Sequence, residues 1–79
     1  MENRKQEILR AVVQEFTTNA VPVGSLALQS RYFVNLSSAT IRSELAELVA
    51  GGLITQLESR VAPTRRGMDL HNQIALAVL

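Results

Sequence analysis

The stretch NLSSATIRSELAELVAGGLI, residues 35–54, leaves a chain of this kind little freedom. It holds a helix start, an apolar stripe, a stop and a β-branched run in immediate succession. Ser37 can cap a helix by accepting a hydrogen bond from a backbone N–H of the first turn. Ile41, Leu45, Leu48 and Val49 are spaced by four, three and one, which places them in one narrow stripe of a helix over about 37–50. Gly51 and Gly52 end it in the manner of a left-handed C-cap, and LITQL then reads as a short strand. Such a helix is covered on one side only. On its other side the first turns offer Ser38, Ala39, Thr40, Arg42 and Ser43, small and polar apart from one arginine.

The flanking segments supply what covers it. Ile8, Leu9, Val12, Val13 and Phe16 recur at helical spacing, with Arg4, Lys5, Glu7, Arg10, Gln14 and Glu15 on the remaining positions, and predict a helix over about 4–18. NAVPVGS breaks it, because Pro22 disfavours helix at Val21. Ser25 is a candidate cap for a short helix over about 25–31, with Leu28 and Tyr32 on one face. After LITQL, ESRV is a candidate turn and APT a returning strand that Pro63 confines to a sheet edge. Thr64 can cap a last helix over about 65–79. Leu70, Ile74, Ala77 and Val78 form its apolar side, and Gly67 weakens its first turn. Leu76 and Leu79 lie off that side, so the end IALAVL is expected to pair with a second chain, as a homodimer, or with a following domain.

Three helices, a hairpin over about 53–64 and a further helix are the order of a winged helix-turn-helix domain. The expected fold is mainly α with a small β-hairpin: a three-helix core, a two-stranded wing and an additional C-terminal helix, one domain spanning residues 1–79. In such a fold the third helix offers its outer N-terminal face to a DNA major groove. Small residues let it descend, hydroxyls bond phosphates or bases, and arginine forks onto guanine. Arg42 leads that candidate surface. Its bland reading is a helix-face ion pair with Glu44 or Glu47. SRVAPTRRG adds Arg60, Arg65 and Arg66 with no acid among them, a cationic segment suited to phosphates.

Composition narrows the function classes. The 79 residues are 47% hydrophobic with a net charge of +1, as expected of one small folded domain. No cysteine is present, which removes disulfides and thiolate chemistry and suits a reducing compartment. The charged N-terminus is no secretory signal, and no run approaches the roughly 18 apolar residues of a membrane span, so a cytoplasmic protein without membrane contact is expected. His71 stands alone, without the partners a metal site or a catalytic triad requires. No glycine-rich phosphate loop occurs. The expectation is a non-enzyme with no cofactor, no metal and no small-molecule substrate.

PVGSLALQSRYFVNLSSATIRSELAELVAGGLI also resembles the N-terminal DNA-binding domain of the HrcA family, the heat-inducible transcription repressors of bacteria. Pro22, Val23, Gly24 and Ser25 match the family's first block, Arg31 with Tyr32 the second, Ser37, Ala39, Thr40, Ile41 and Arg42 the third, and Gly52, Leu53 and Ile54 the last. Past the hairpin Pro63, Thr64 and Gly67 are kept, while Met68 stands where the family has an aromatic residue. The resemblance implies a stress-response repressor binding double-stranded DNA as a dimer on an inverted repeat. The competing expectation, from another class, is a winged-helix module that binds a protein.

Overall fold

A computed structural model describes residues 3–78, with side chains described over 4–74. The elements are α1 (Asn3–Asn19), β1 (Val23–Gly24), α2 (Ser25–Tyr32), α3 (Ser38–Ala50), β2 (Ile54–Leu57), β3 (Arg60–Pro63) and α4 (Arg65–Val78). The expected order of helices and hairpin is present. The wing, expected as two strands, is three-stranded, in the order β1-β3-β2 and antiparallel throughout. Two residues from the α1–α2 connection form the extra strand, pairing Val23 with Val61 and Gly24 with Arg60. A pair of residues has no periodicity to betray it, and its partner lies far along the chain.

That third strand also corrects the position of Pro63. β3 is the middle strand, not an edge. Pro63 is tolerated because it sits at the strand's last position, opposite Ile54, where β1 no longer runs alongside and no second ladder needs its missing N–H.

The core follows the apolar stripes. Ile8, Leu9, Val12 and Val13 of α1 meet Leu28 of α2, Ile41, Leu45 and Leu48 of α3, and Leu53, Ile54 and Val61 from the sheet side, all buried. Val49, Phe33, Leu70 and Met68 pack half-buried around them. Ala77 and Val78, and the expected association residues Leu76 and Leu79, lie outside the described side chains.

The caps divide. Ser37 caps α3 as expected, its Oγ accepting the Thr40 N–H at 3.1 Å. Ser25 does not cap α2: it is the first helical residue, the N-cap is Gly24 with no side-chain bond, and the Ser25 N–H donates to the Ser59 carbonyl at 3.2 Å. Sheet pairing through Gly24 has claimed the position a capping serine would hold. At the far end of α3 only Gly52 is left-handed, with φ of 75°, while Gly51 stays helical at −79°.

Thr64 caps α4 as expected, accepting the Gly67 N–H at 3.1 Å and donating its hydroxyl to the Gly52 carbonyl at 2.6 Å. Gly67, expected only to weaken this helix, instead allows it to dock. A Cβ there would lie 2.0 Å from the Leu53 carbonyl oxygen.

Glu15, placed by spacing on the polar side of α1, is buried. Its carboxylate accepts hydrogen bonds from Asn19 Nδ2 at 2.7 Å, Arg31 Nη1 at 3.1 Å and Tyr32 Oη at 3.0 Å. The Arg31–Tyr32 pair thereby fastens the end of α2 to α1. Gln29 Nε2 donates to the Leu36 carbonyl at 3.0 Å and braces the turn into α3. Desolvation of the Tyr32 phenol, followed by the hydrogen bond and negative charge of Glu15, raises its pKa above the ordinary 10, with the Arg31 charge opposing.

Candidate nucleic-acid interface

Because Ile41, Leu45 and Leu48 hold one side of α3 against the core, helix geometry turns the opposite side outward. Ser38, Ala39, Arg42 and Ser43 are exposed there; Thr40 is half-buried and tied into the cap, its Oγ1 2.9 Å from that of Ser37. Five expected contact residues thus share the first two turns of one helix, four of them open.

The acids of α3 are kept from this face. Glu47 pairs with Lys5 of α1, Oε1 to Nζ at 2.9 Å, and Glu44 is buried, with no hydrogen-bond partner for its Oε2. The bland expectation, Arg42 paired with Glu44 or Glu47, is therefore not what the structure shows. Among the described residues Arg42 has no ion-pair or hydrogen-bond partner, and its guanidinium is available to an external anion or base.

Alongside this face runs a cleft of about 450 Å³ between α2, α3 and the sheet. Ser38 and Arg42 form its α3 wall, above a floor of Ile41, Leu45 and Val61. Leu26 and Gln29 of α2 and Gln56 and Ser59 of the hairpin close the other sides. Among the described residues, no acidic side chain lines it. Sequence reasoning missed these flanking positions. Leu26, an apolar residue off the Leu28 face and 74% exposed, was the one readable signal; Gln56 and Ser59 carry none, since only sheet pairing swings the hairpin over the cleft.

The three remaining expected cations do not gather at one place. Arg60 opens β3 beside the hairpin turn, one residue from Ser59. Arg65 and Arg66 open α4 at the hairpin's base, where Thr64 binds Gly52 at the C-terminal end of α3. Four residues, Val61 to Thr64, lie between the groups, so five residue steps, roughly 16 Å of extended chain, separate Arg60 from Arg65. All three are exposed.

No group of three or more potential metal ligands occurs among the described residues, and no described helix is long and apolar enough to cross a membrane.

No family model matches the chain. Individual proteins do. A heat-inducible transcription repressor HrcA from Corynebacterium aurimucosum is 48% identical over 66 residues, covering 81% of this chain and 19% of that protein. One from Clostridium acetobutylicum is 40% identical over 73 residues, covering 90% and 21%. One from Mycobacterium leprae is 44% identical over 68 residues, covering 84% and 20%. The crystal structure of a hypothetical protein superposes with a TM-score of 0.88 at 28% identity, over 99% of this chain and 26% of that one. The chain spans about a fifth of the length of the curated relatives it matches. With the winged fold in place and the matched blocks lying on β1, α2, α3 and the start of β2, the chain belongs to the HrcA heat-inducible transcription repressor family, as a homologue of its N-terminal domain.

Proposed function

We propose that the chain is the DNA-binding domain of a bacterial transcriptional repressor of heat-shock or other stress genes, and that it acts by occluding an operator. Two copies, or two copies of a longer protein carrying it, place their α3 helices in successive major grooves of an inverted repeat, and transcription stops while they are bound. Ser38, Ala39, Thr40, Arg42 and Ser43 form the groove-facing surface. Arg42 forks onto guanine O6 and N7, and Ala39 and Ser43 permit close approach. Arg60 contacts backbone beside the hairpin turn; Arg65 and Arg66 contact phosphates further along the duplex.

One observation carries this reading: α3 turns both its glutamates away from its outer N-terminal face and leaves Arg42 there with no partner among the described residues, beside a cleft without acids. A surface for a phosphate polymer needs this arrangement, because each carboxylate would meet phosphate repulsion. The repressor names of the relatives point the same way.

The test is a set of binding isotherms on inverted-repeat and random duplexes over a salt series. Log affinity should fall steeply and linearly with log salt, with the inverted repeat bound more tightly. Absence of binding to either duplex, or a salt-insensitive affinity, overturns the reading and leaves a protein-binding module.

A further inference from the structure

Glu58 breaks two rules at once. It is the first residue of the two-residue connection between Leu57 and Arg60, and its φ is 60°, in the left-handed region that a hairpin turn normally assigns to glycine. It also brings a negative charge to the turn at the end of the hairpin that walls the cleft. Its neighbours Gln56 and Ser59 line that cleft opposite Ser38 and Arg42, and Gln56 Nε2 donates to the Glu58 carbonyl at 3.2 Å, which ties the turn to the cleft wall. Its carboxylate is exposed and has no ion-pair partner among the described residues. Among the described residues nothing bonds to this side chain, and the backbone would be less strained without it. Strain that does not serve the fold marks a position for a functional role.

We infer that Glu58 is a base-discriminating residue: its carboxylate accepts a hydrogen bond from the exocyclic amino group of a G·C pair lying under the hairpin, and repels DNA that offers no such donor there. The inference rests on the DNA-binding reading above. A carboxylate brought among phosphates loses water and meets like charge, and of the groups a duplex offers, base amino groups can offset both. An A·T pair offers none in the minor groove, whereas guanine N2 does; in the major groove both adenine N6 and cytosine N4 donate, but adenine N6 lies beside the acceptor N7, which opposes a carboxylate, so cytosine N4 is the better partner there. A single acid on an otherwise acid-free face thus converts a general phosphate affinity into a preference for sequence flanking the α3 half-site.

The experiment is selection of binding sites from a random duplex pool by the 79-residue chain and by Glu58→Ala, which keeps a side chain in the left-handed position and removes the acceptor. The wild type should enrich a G·C pair beside the core half-site, and Glu58→Ala should lose that preference alone. Affinity for random duplex should rise about five- to tenfold in the variant, so the ratio of selected to random binding falls. Replacing the enriched guanine by inosine deletes the minor-groove amino group only. A loss for the wild type that Glu58→Ala does not share places the contact at guanine N2, and an undiminished wild-type preference places it at cytosine N4. Glu58→Gly should repeat the DNA result while raising the unfolding midpoint, which separates the strain from the recognition. Identical preferences in the two pools, or equal changes on selected and random duplex, overturn the inference. A wild-type chain that enriches no sequence at all fails the DNA reading instead.

Discussion

α3 and the β2–β3 hairpin face each other across one cleft, yet opposite kinds of interaction place them. Every outward residue of α3 is set by neighbours within a turn: the Ser37 cap, the Thr40 N–H it accepts, and the four-residue spacing that sends Ile41 inward and leaves Arg42 out. The hairpin is held at a distance, by β1 through the Gly24–Arg60 and Val23–Val61 pairs, by the Ser25–Ser59 bond and by Thr64 on Gly52. One wall of the cleft is local chemistry and the other is topology. The difference teaches that the two walls should fail differently. A change in α3's outer face should alter what is bound and leave the fold intact, whereas a change where the hairpin is anchored should alter the fold first.

Gly67→Ala should have the largest effect, because it strikes that anchorage. Intrinsic propensity alone would favour alanine by about 1 kcal/mol. The added Cβ would overlap the Leu53 carbonyl, 2.0 Å away, so α4 must leave the hairpin base or the helix must shift. A loss of roughly 3 kcal/mol or more is expected in denaturant unfolding. A variant as stable as the wild type would mean that α4 docks loosely and the hairpin is not held from below.

Arg42→Ala should show the converse, a stable protein that reads DNA poorly. The expected loss is about 1–3 kcal/mol on a selected site, with little change on random duplex. Equal losses on both would demote Arg42 to a phosphate contact; no loss on either would remove α3 as the reading element.

The cations on the hairpin side sharpen the comparison. Arg60→Ala should flatten the log–log salt dependence by about one unit and weaken selected and random duplex alike. Replacing Arg65 and Arg66 together should do the same only if the bound duplex reaches past the cleft to the base of the hairpin. An unchanged slope in both variants would leave the hairpin as a structural flap.

Smaller effects separate the two helix starts. Ser37→Ala should cost about 1 kcal/mol of stability through loss of a working cap, whereas Ser25→Ala should stay within a few tenths, since Ser25 acts through its backbone N–H. Equal costs would contradict the assignment of caps.

The least effect concerns pH. The Tyr32 phenol has a raised pKa in the fold, so its contribution is fully present below the ordinary value near 10 and is lost as pH rises through the folded value. The stability of the wild type relative to Tyr32→Phe should be level through neutral pH and decline only in that alkaline window. A decline beginning near neutrality would assign the titration elsewhere.

What the sequence determined by itself is what short-range physics controls. The α3 cap at Ser37, the α4 cap at Thr64, the apolar stripes and the outward set around Arg42 depend on contacts within one or two helical turns, and they were legible because that periodicity is written in consecutive residues. Tertiary structure decided whatever depends on a partner far along the chain. It made Val23 and Gly24 a strand, put β3 in the middle of a sheet despite Pro63, buried Glu15 against Arg31 and Tyr32, and gave Gly67 its purpose against Leu53. It also brought Gln56 and Ser59 opposite Ser38 and Arg42 to complete the cleft. No local pattern encodes these pairings, because their energy comes from surfaces that meet only after the chain has folded.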